Sequence, residues 1–506
     1  MKLGKIATLT SLVLLGTFTN VSLAAGDTLV VSTKLDPSSW DPIATFTVPW
    51  STVATNVFEG LTYRGPDLKL VPGLATEWIV AEDGLSIGFK LREGVTFQNG
   101  EPFNAEAVKF TFERLLGASG AKGPQRSNYT AIERIEVIDD YSITMHLNSP
   151  DPVLLTKLAG YGAMIVPPKY ITEKGEAHFA SHPIGTGPYQ IVNYEPKVDV
   201  KLKAYDNYWG EKAKIQDIQF KFIAEPATAV AELQAGTIDI VVDQIPLNTI
   251  KTIKSKDFLD VISVTGPTVM AFRFNTKSGI TQNKDVRKAL IMAVDRQKII
   301  DTILAGQAQS IVGFQSALSF GYDETLEGLP FDPEKAKQML AAAGVKPGEK
   351  IQIDYRANDQ VLGQVVQALA GYLKRVGINV ALKPYESSVY LNDIVPAGKT
   401  GEMFSQGWGG WTFDYDNTAY LMYHTGEKWN PYDSDPQLDK LLESQRPITD
   451  QKERERILKE ISAYVANEAL EMPLYNINTL YGINKRVQNF EPAPDQRIRL
   501  NNVTFK

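Results

Sequence analysis

The chain predicts a mixed α/β fold carrying several half-buried sheets, and three observations predict it. Apolar side chains alternate at Ile87/Phe89/Leu91, Ile143/Met145/Leu147, Val198/Val200/Leu202 and Ile218/Phe220/Phe222, the period of a strand with one face covered. Between these runs lie helices with start and stop signals. No internal repeat, low-complexity tract or Gly/Ser linker divides the chain, so separate domains strung on a tether are not expected.

The elements follow in order. Met1-Lys-Leu-Gly-Lys5 is basic, an apolar run centred on Leu12–Leu15 follows, and Ser22-Leu-Ala24 is a small-x-small pattern, which together read as a secretory signal peptide over residues 1–24. The uncharged stretch from Ile6 to Gly26 would also suit an uncleaved anchor, but Thr, Ser and Asn dilute it. Asn104 is placed to cap a helix that puts Val108, Phe112 and Leu115 on one face. Asp332-Pro333 pairs an N-cap with a first-turn proline and Gly344 suits the C′ position; Asp435-Pro436 repeats the start signal. Val264–Asn275 and Met472–Asn478 are candidate crossings between two lobes, because short ordered connections guide a closing motion where long ones only tether.

Composition excludes several functions. The sequence holds no cysteine, so disulfides, thiol nucleophiles, thiolate metal sites and a lipidated cysteine at the leader junction are absent. The net charge is −7 with the charges interspersed, which argues against nucleic acid or an anionic membrane surface as partner. Histidine occurs at 146, 178, 182 and 424, without paired metal-ligand spacing. There is no Gly-x-x-x-x-Gly-Lys-Ser/Thr, Gly-x-Ser-x-Gly or His-Glu-x-x-His motif. A carboxylate pair for glycoside hydrolysis needs only to meet in space, so a secreted hydrolase acting on peptides or glycans stays open as the alternative to capture.

Pro183-Ile-Gly-Thr-Gly-Pro-Tyr-Gln-Ile-Val-Asn-Tyr194 and Ala204-Tyr-Asp-Asn-Tyr-Trp-Gly-Glu-Lys-Ala213 couple a Gly/Pro turn to an alternating strand and an aromatic turn. With Leu70–Trp78, Phe97–Val108, Gly236–Ile240, Asp285–Leu290, Ala293–Asp295 and Phe331–Lys337, this ordered set resembles the extracellular solute-binding proteins of the peptide/nickel family. The resemblance implies a two-lobed periplasmic-binding-protein fold with a hinge: lobe one over 25–270 with a subdomain inserted at about 70–190, lobe two over 271–475, and a C-terminal return over 476–506. It implies capture of a small peptide or similar polar solute, an opine or oligosaccharide among the alternatives, and delivery to an inner-membrane ABC permease with separate ATPase subunits. A periplasmic, unlipidated monomer without cofactor or enzymatic activity is the expectation.

For the ligand, Gly407-Trp-Gly-Gly-Trp-Thr-Phe-Asp-Tyr-Asp-Asn417 combines glycines that admit close backbone approach with flat aromatic surfaces. Composition alone favours an aromatic turn packed in the core. The resemblance turns the reading toward a ligand loop, with Trp408, Trp411, Asp414, Tyr415, Asp416 and Asn417 as candidates. Dipeptide-binding members place an acidic residue in this loop to meet the peptide ammonium, and that position aligns with Trp411 here. Phe46, Val48 and Trp50, after Trp40, are the lobe-one candidates. Arg126, Arg273, Arg356 and Tyr385–Tyr390 could supply polar contacts, but arginine on a solvated face is the default expectation and none is taken as a site residue; metal ligands are not expected.

Overall fold

A computed structural model describes residues 28–506 except 66 and 358; the segment read as a leader lies outside the described residues. The helix signals act where expected because capping is local. Asn104 accepts from Ala107 N (3.1 Å) ahead of Ala105–Leu116, whose Val108, Phe112 and Leu115 are buried. Asp332 accepts from Lys335 N (2.8 Å) ahead of Pro333–Ala342, and Asp435 accepts from Gln437 N (2.9 Å) ahead of Pro436–Ser444. Each satisfies a backbone donor that the first turn leaves open. Val198 departs from its expected strand: it is exposed, and the strand begins at Asp199, after a turn in which Lys197 has φ 66°.

One eleven-stranded sheet runs through the molecule. One end is built from Ile378–Tyr385, Glu349–Arg356 and Met403–Gly409, the other from Ile240–Val242, Thr28–Thr33, Asp217–Phe222, Asp199–Ala204 and Tyr189–Glu195. The two ends carry separate cores. Phe272, Leu290, Ile353, Leu369 and Met403 fill one; Leu29, Val31, Trp50, Tyr189, Phe220 and Tyr481 fill the other. A third core, with Phe89, Phe112, Ile143 and Met145, sits under a separate four-stranded antiparallel sheet spanning residues 75–147. This is a two-lobed α/β fold with a subdomain attached to the first lobe. The tail rejoins that lobe through Asn56, whose Nδ2 donates to Ile498 O (3.0 Å) and whose Oδ1 accepts from Leu500 N (2.9 Å).

Two long strands, Leu259–Phe274 and Glu471–Asn484, join the lobes and pair with each other from Leu259↔Asn484 to Arg273↔Glu471. They cover the expected crossings Val264–Asn275 and Met472–Asn478 apart from Asn275, which lies just past the end of the first strand. Their ladder breaks between Thr265↔Asn478 and Val269↔Asn476. Gly266-Pro267 explains the break: proline has no N–H for the ladder, and a Cβ on Gly266 would lie 2.6 Å from Ile477 O. Buried Asn476 replaces the missing bonds, its Nδ2 donating to Gly266 O (2.9 Å) and Thr268 O (2.8 Å) and its Oδ1 accepting from Ser316 Oγ (2.9 Å). A bulge of this kind bends and twists a sheet, and here it falls between the two cores.

Asn476→Ala leaves two buried carbonyls short of donors and is expected to cost about 1–3 kcal/mol, read as a lower urea midpoint for unfolding. At the lobe-two end of the same strands, burial pushes the Glu471 carboxyl up to about 7, against the opposing pull of Arg273 and of the Tyr423 hydroxyl that donates to it at 3.0 Å. The folded state therefore holds a proton that the unfolded chain releases near pH 4.3. The stability is complete below that value and is lost as pH rises through about 7. Glu471→Gln is expected to gain a few kcal/mol over the parent between pH 5 and pH 8, checked by urea titrations across that range.

Candidate ligand cleft

Where the lobes face each other across the bulge, a cavity of about 190 Å³ is walled by Val48 and Tyr161, by Gly266–Thr268, by Gly409 and Trp411, and by Asp243, Asn478 and Asp495–Arg497. A larger cavity of about 370 Å³ lies between Thr62–Arg64 and the tail residues 489–502, and its walls come from lobe one alone. The smaller one is the candidate site because both lobes and the crossing strands build it.

Trp411 reaches this position because strand Met403–Gly409 ends in two glycines and the chain turns through Gly410–Phe413, with Phe413 at φ 52°. Its ring lies 5.9 Å from both Phe46 and Tyr161, which themselves lie 4.8 Å apart. Gly160 makes room for it, since a Cβ there would fall 2.5 Å from the indole Cζ3. Arg64 of lobe one holds the loop, with Nη2 donating to Thr412 O at 2.7 Å and the guanidinium lying 4.9 Å from the Phe413 ring centre. Burial, with Arg497 beside it, pushes the Arg64 guanidinium down to about 9, and its Nε has no partner.

The structure brings together only part of the expected set. Val48 (37 % exposed) and Trp411 line the cavity, and Phe46 (45 % exposed) stands at its edge against Trp411. Trp50 does not reach it: the side chain is fully buried, its Nε1 donates to Trp40 O at 3.3 Å and its ring lies 6.3 Å from Phe58. Asp414 caps helix Tyr415–Tyr423 and makes a paired bond with buried Arg454, at 2.7 and 2.6 Å. Burial raises its carboxyl and Arg454 opposes that rise. Asp416 accepts from Arg446 at 3.0 and 3.2 Å and from Gln445, while Tyr415 is fully buried in the second core of lobe two. These carboxylates are spent on holding the loop in place. Trp408 faces Trp429 at 6.3 Å with Nε1 unpaired, and Asn417 keeps an unpaired Oδ1; neither lines the cavity.

Arg273 is buried and donates to Met422 O (2.7 Å) and Trp429 O (2.5 Å). His424 sits at a helix end, 4.2 Å from the Tyr420 ring and 2.9 Å from Glu443. Tyr161, Asp243, Asn478 and Asp495–Arg497 were not singled out from sequence. Gly266-Pro267 inside an apolar run was a legible sign of a bulge, and Pro492 and Pro494 lead into the tail segment Asp495–Arg497; nothing local marks Tyr161 or Asp243.

Removing Arg454 alone strands a buried carboxylate, so Arg454→Met is expected to cost about 3–5 kcal/mol, with the loss growing as pH rises and Asp414 ionises. Arg454→Met with Asp414→Asn is expected to recover part of it, measured by urea unfolding as a double-mutant cycle.

Residues 69–430 match the family described as bacterial extracellular solute-binding proteins, family 5. The chain is 28 % identical to Di/tripeptide-binding protein 3 of Pseudomonas aeruginosa, over 95 % of each chain. Among solved structures, HbpA2 from Haemophilus parasuis superposes with a TM-score of 0.86 at 23 % identity, covering 95 % of this chain and 100 % of that one. The periplasmic binding protein DppA from Helicobacter pylori, in complex with the peptide STSA, gives 0.75 at 24 % identity, covering 94 % and 98 %. A match across most of the folded chain, on a two-lobed frame with a cavity at its waist, makes this protein a member of the bacterial extracellular solute-binding proteins, family 5.

Proposed function

We propose that this solute-binding component of an ABC importer captures a small peptide or similarly sized polar organic solute in the cavity between its lobes. The observation that carries the reading is the meeting of Trp411 from lobe two with Tyr161 and Phe46 from lobe one directly beside the crossing-strand bulge. Aromatic surfaces from both lobes already meet beside the cavity, so a solute held there touches both lobes at once, which couples occupancy to the relation between them. A volume of about 190 Å³ suits a small solute, being below the roughly 300–1,000 Å³ of sites for drug-sized ligands. The name of the Pseudomonas relative, a di/tripeptide-binding protein, favours short peptides over sugars or opines.

The lobe boundaries follow the sequence reading: residues 25–270 with the return over 476–506 as lobe one, and 271–475 as lobe two. The protein works as a monomer in the periplasm after its leader is cleaved. It is unlipidated, since no cysteine is present, and among the described residues no helix is long and apolar enough to cross a membrane. It hands the solute unchanged to an inner-membrane permease whose ATPase subunits are separate chains.

The test is calorimetric titration with di- and tripeptides, with the peptide recovered after incubation. One-to-one binding and intact peptide are the expected results. Trp411→Ala is expected to weaken binding tenfold or more, about 1.4 kcal/mol; unchanged affinity would remove Trp411 from the site, and cleaved peptide would replace capture by hydrolysis.

A further inference from the structure

Asp243 follows strand Ile240–Val242 and contributes to the cavity wall. Its φ is 49°, and that of Gln496, its hydrogen-bond partner across the cavity, is 64°. Residues other than glycine are uncommon in this region, and such positions cluster where a side chain must be aimed. Gln496 Nε2 donates to Asp243 Oδ2 at 2.7 Å; Oδ1 has only Leu480 N, at 3.5 Å.

Among the described residues no lysine or arginine forms an ion pair with Asp243. Lys34, beyond strand Thr28–Thr33, exerts a weak attraction. Arg497 is committed elsewhere: its Nε faces Asp495 at 3.6 Å, its Nη1 donates to Ala159 O at 3.1 Å and its guanidinium lies 4.6 Å from the Tyr161 ring centre. The Tyr481 hydroxyl, on the adjoining crossing strand, donates to Ala493 O. The cavity thus holds one carboxylate paired with Arg497 and a second, Asp243, without a counter-charge. Asp243 is exposed to solvent yet ringed by protein, and that enclosure pushes its carboxyl up to about 6, against the pull of Leu480 N, Gln496 and Lys34.

An unneutralised carboxylate with a free lone pair, in a cavity lined by Trp411 and Tyr161, is the chemistry that holds an ammonium: a charge-assisted hydrogen bond on one side and aromatic surface on the other. We propose that Asp243, from lobe one, receives the ammonium group of the captured solute and makes this a cleft for small organic cations, either peptides with a free amino end or free amines. This rests on the cavity between the lobes being the ligand site. A bound cation favours the ionised carboxyl, so binding releases a proton near pH 6. Affinity then falls as pH drops below about 6, approaching tenfold per unit.

The test is a thermal-shift and calorimetric panel on the full chain at pH 7.5, using dialanine, trialanine, butylamine and the N-acetylated counterpart of each. Binding confined to the ammonium-bearing members is expected, and the peptide and butylamine arms separate the two sources. Asp243→Asn, a residue that tolerates the left-handed backbone, should weaken the best ammonium probe at least tenfold and flatten its affinity between pH 5 and 7. Binding confined to acetylated members, or to none, overturns the proposal. If Asp243→Asn keeps parental affinity and pH profile while Trp411→Ala loses binding, the cleft reading stands and the role of Asp243 falls. If neither variant affects binding, both fall.

Discussion

The side chain of Asn476 is the joint on which the rest of the arrangement depends. The crossing strands must be continuous enough to hold two cores in one sheet and interrupted enough to let the sheet bend between them. Gly266-Pro267 supplies the interruption, and one amide restores the hydrogen bonds it removes. A buried carbonyl without a donor costs free energy comparable to a lost hydrogen bond, so the bend exists only with its clip. Gly266–Thr268 also form part of the cavity wall, so the candidate cleft and the interruption of the crossing strands share the same few residues.

Charge is distributed unequally across this waist. The lobe-two loop carries two aspartates, and both are consumed by arginines behind it, Asp414 by Arg454 on helix Gln451–Glu468 and Asp416 by Arg446 in the turn before that helix. Lobe one presents Arg64 to that loop through the Thr412 carbonyl and the Phe413 ring, and among the described residues no carboxylate forms an ion pair with it. Fixing the loop by buried ion pairs leaves its tip, Trp411, as the part offered to the cleft.

Local signals were the legible part of the sequence. Asn104, Asp332 and Asp435 cap helices because a cap needs only its own three or four neighbours. Strand alternation was legible for the same reason, and it failed at Val198, where a left-handed Lys197 had already turned the chain. Of the residues expected from sequence, Trp411 and Val48 line the candidate cavity and Phe46 stands at its edge. Asp414 and Asp416 look in sequence like any polar pair beside a ligand loop; that Arg454 and Arg446 occupy them depends on a helix and the turn before it, some thirty to forty positions away. Tyr161, Asp243 and Asp495–Arg497 converge from three distant segments, and no periodicity records such a meeting.

Glu59 extends this to the Gly/Pro and aromatic blocks that marked the family. Its fully buried carboxylate accepts from Thr186 Oγ1 (2.9 Å), Tyr208 OH (2.8 Å) and Trp209 Nε1 (2.7 Å), while Gly185 and Gly187 admit the backbone at Val57, where a Cβ would stand 2.1 and 2.7 Å from its carbonyl oxygen and carbon. Two signature blocks separated by nine residues are therefore one knot tied on a third. In evolutionary terms they form a single heritable unit: the Trp209 indole N–H can only donate, so position 59 must keep an acceptor facing it, and drift at any one of the four positions is constrained by the other three.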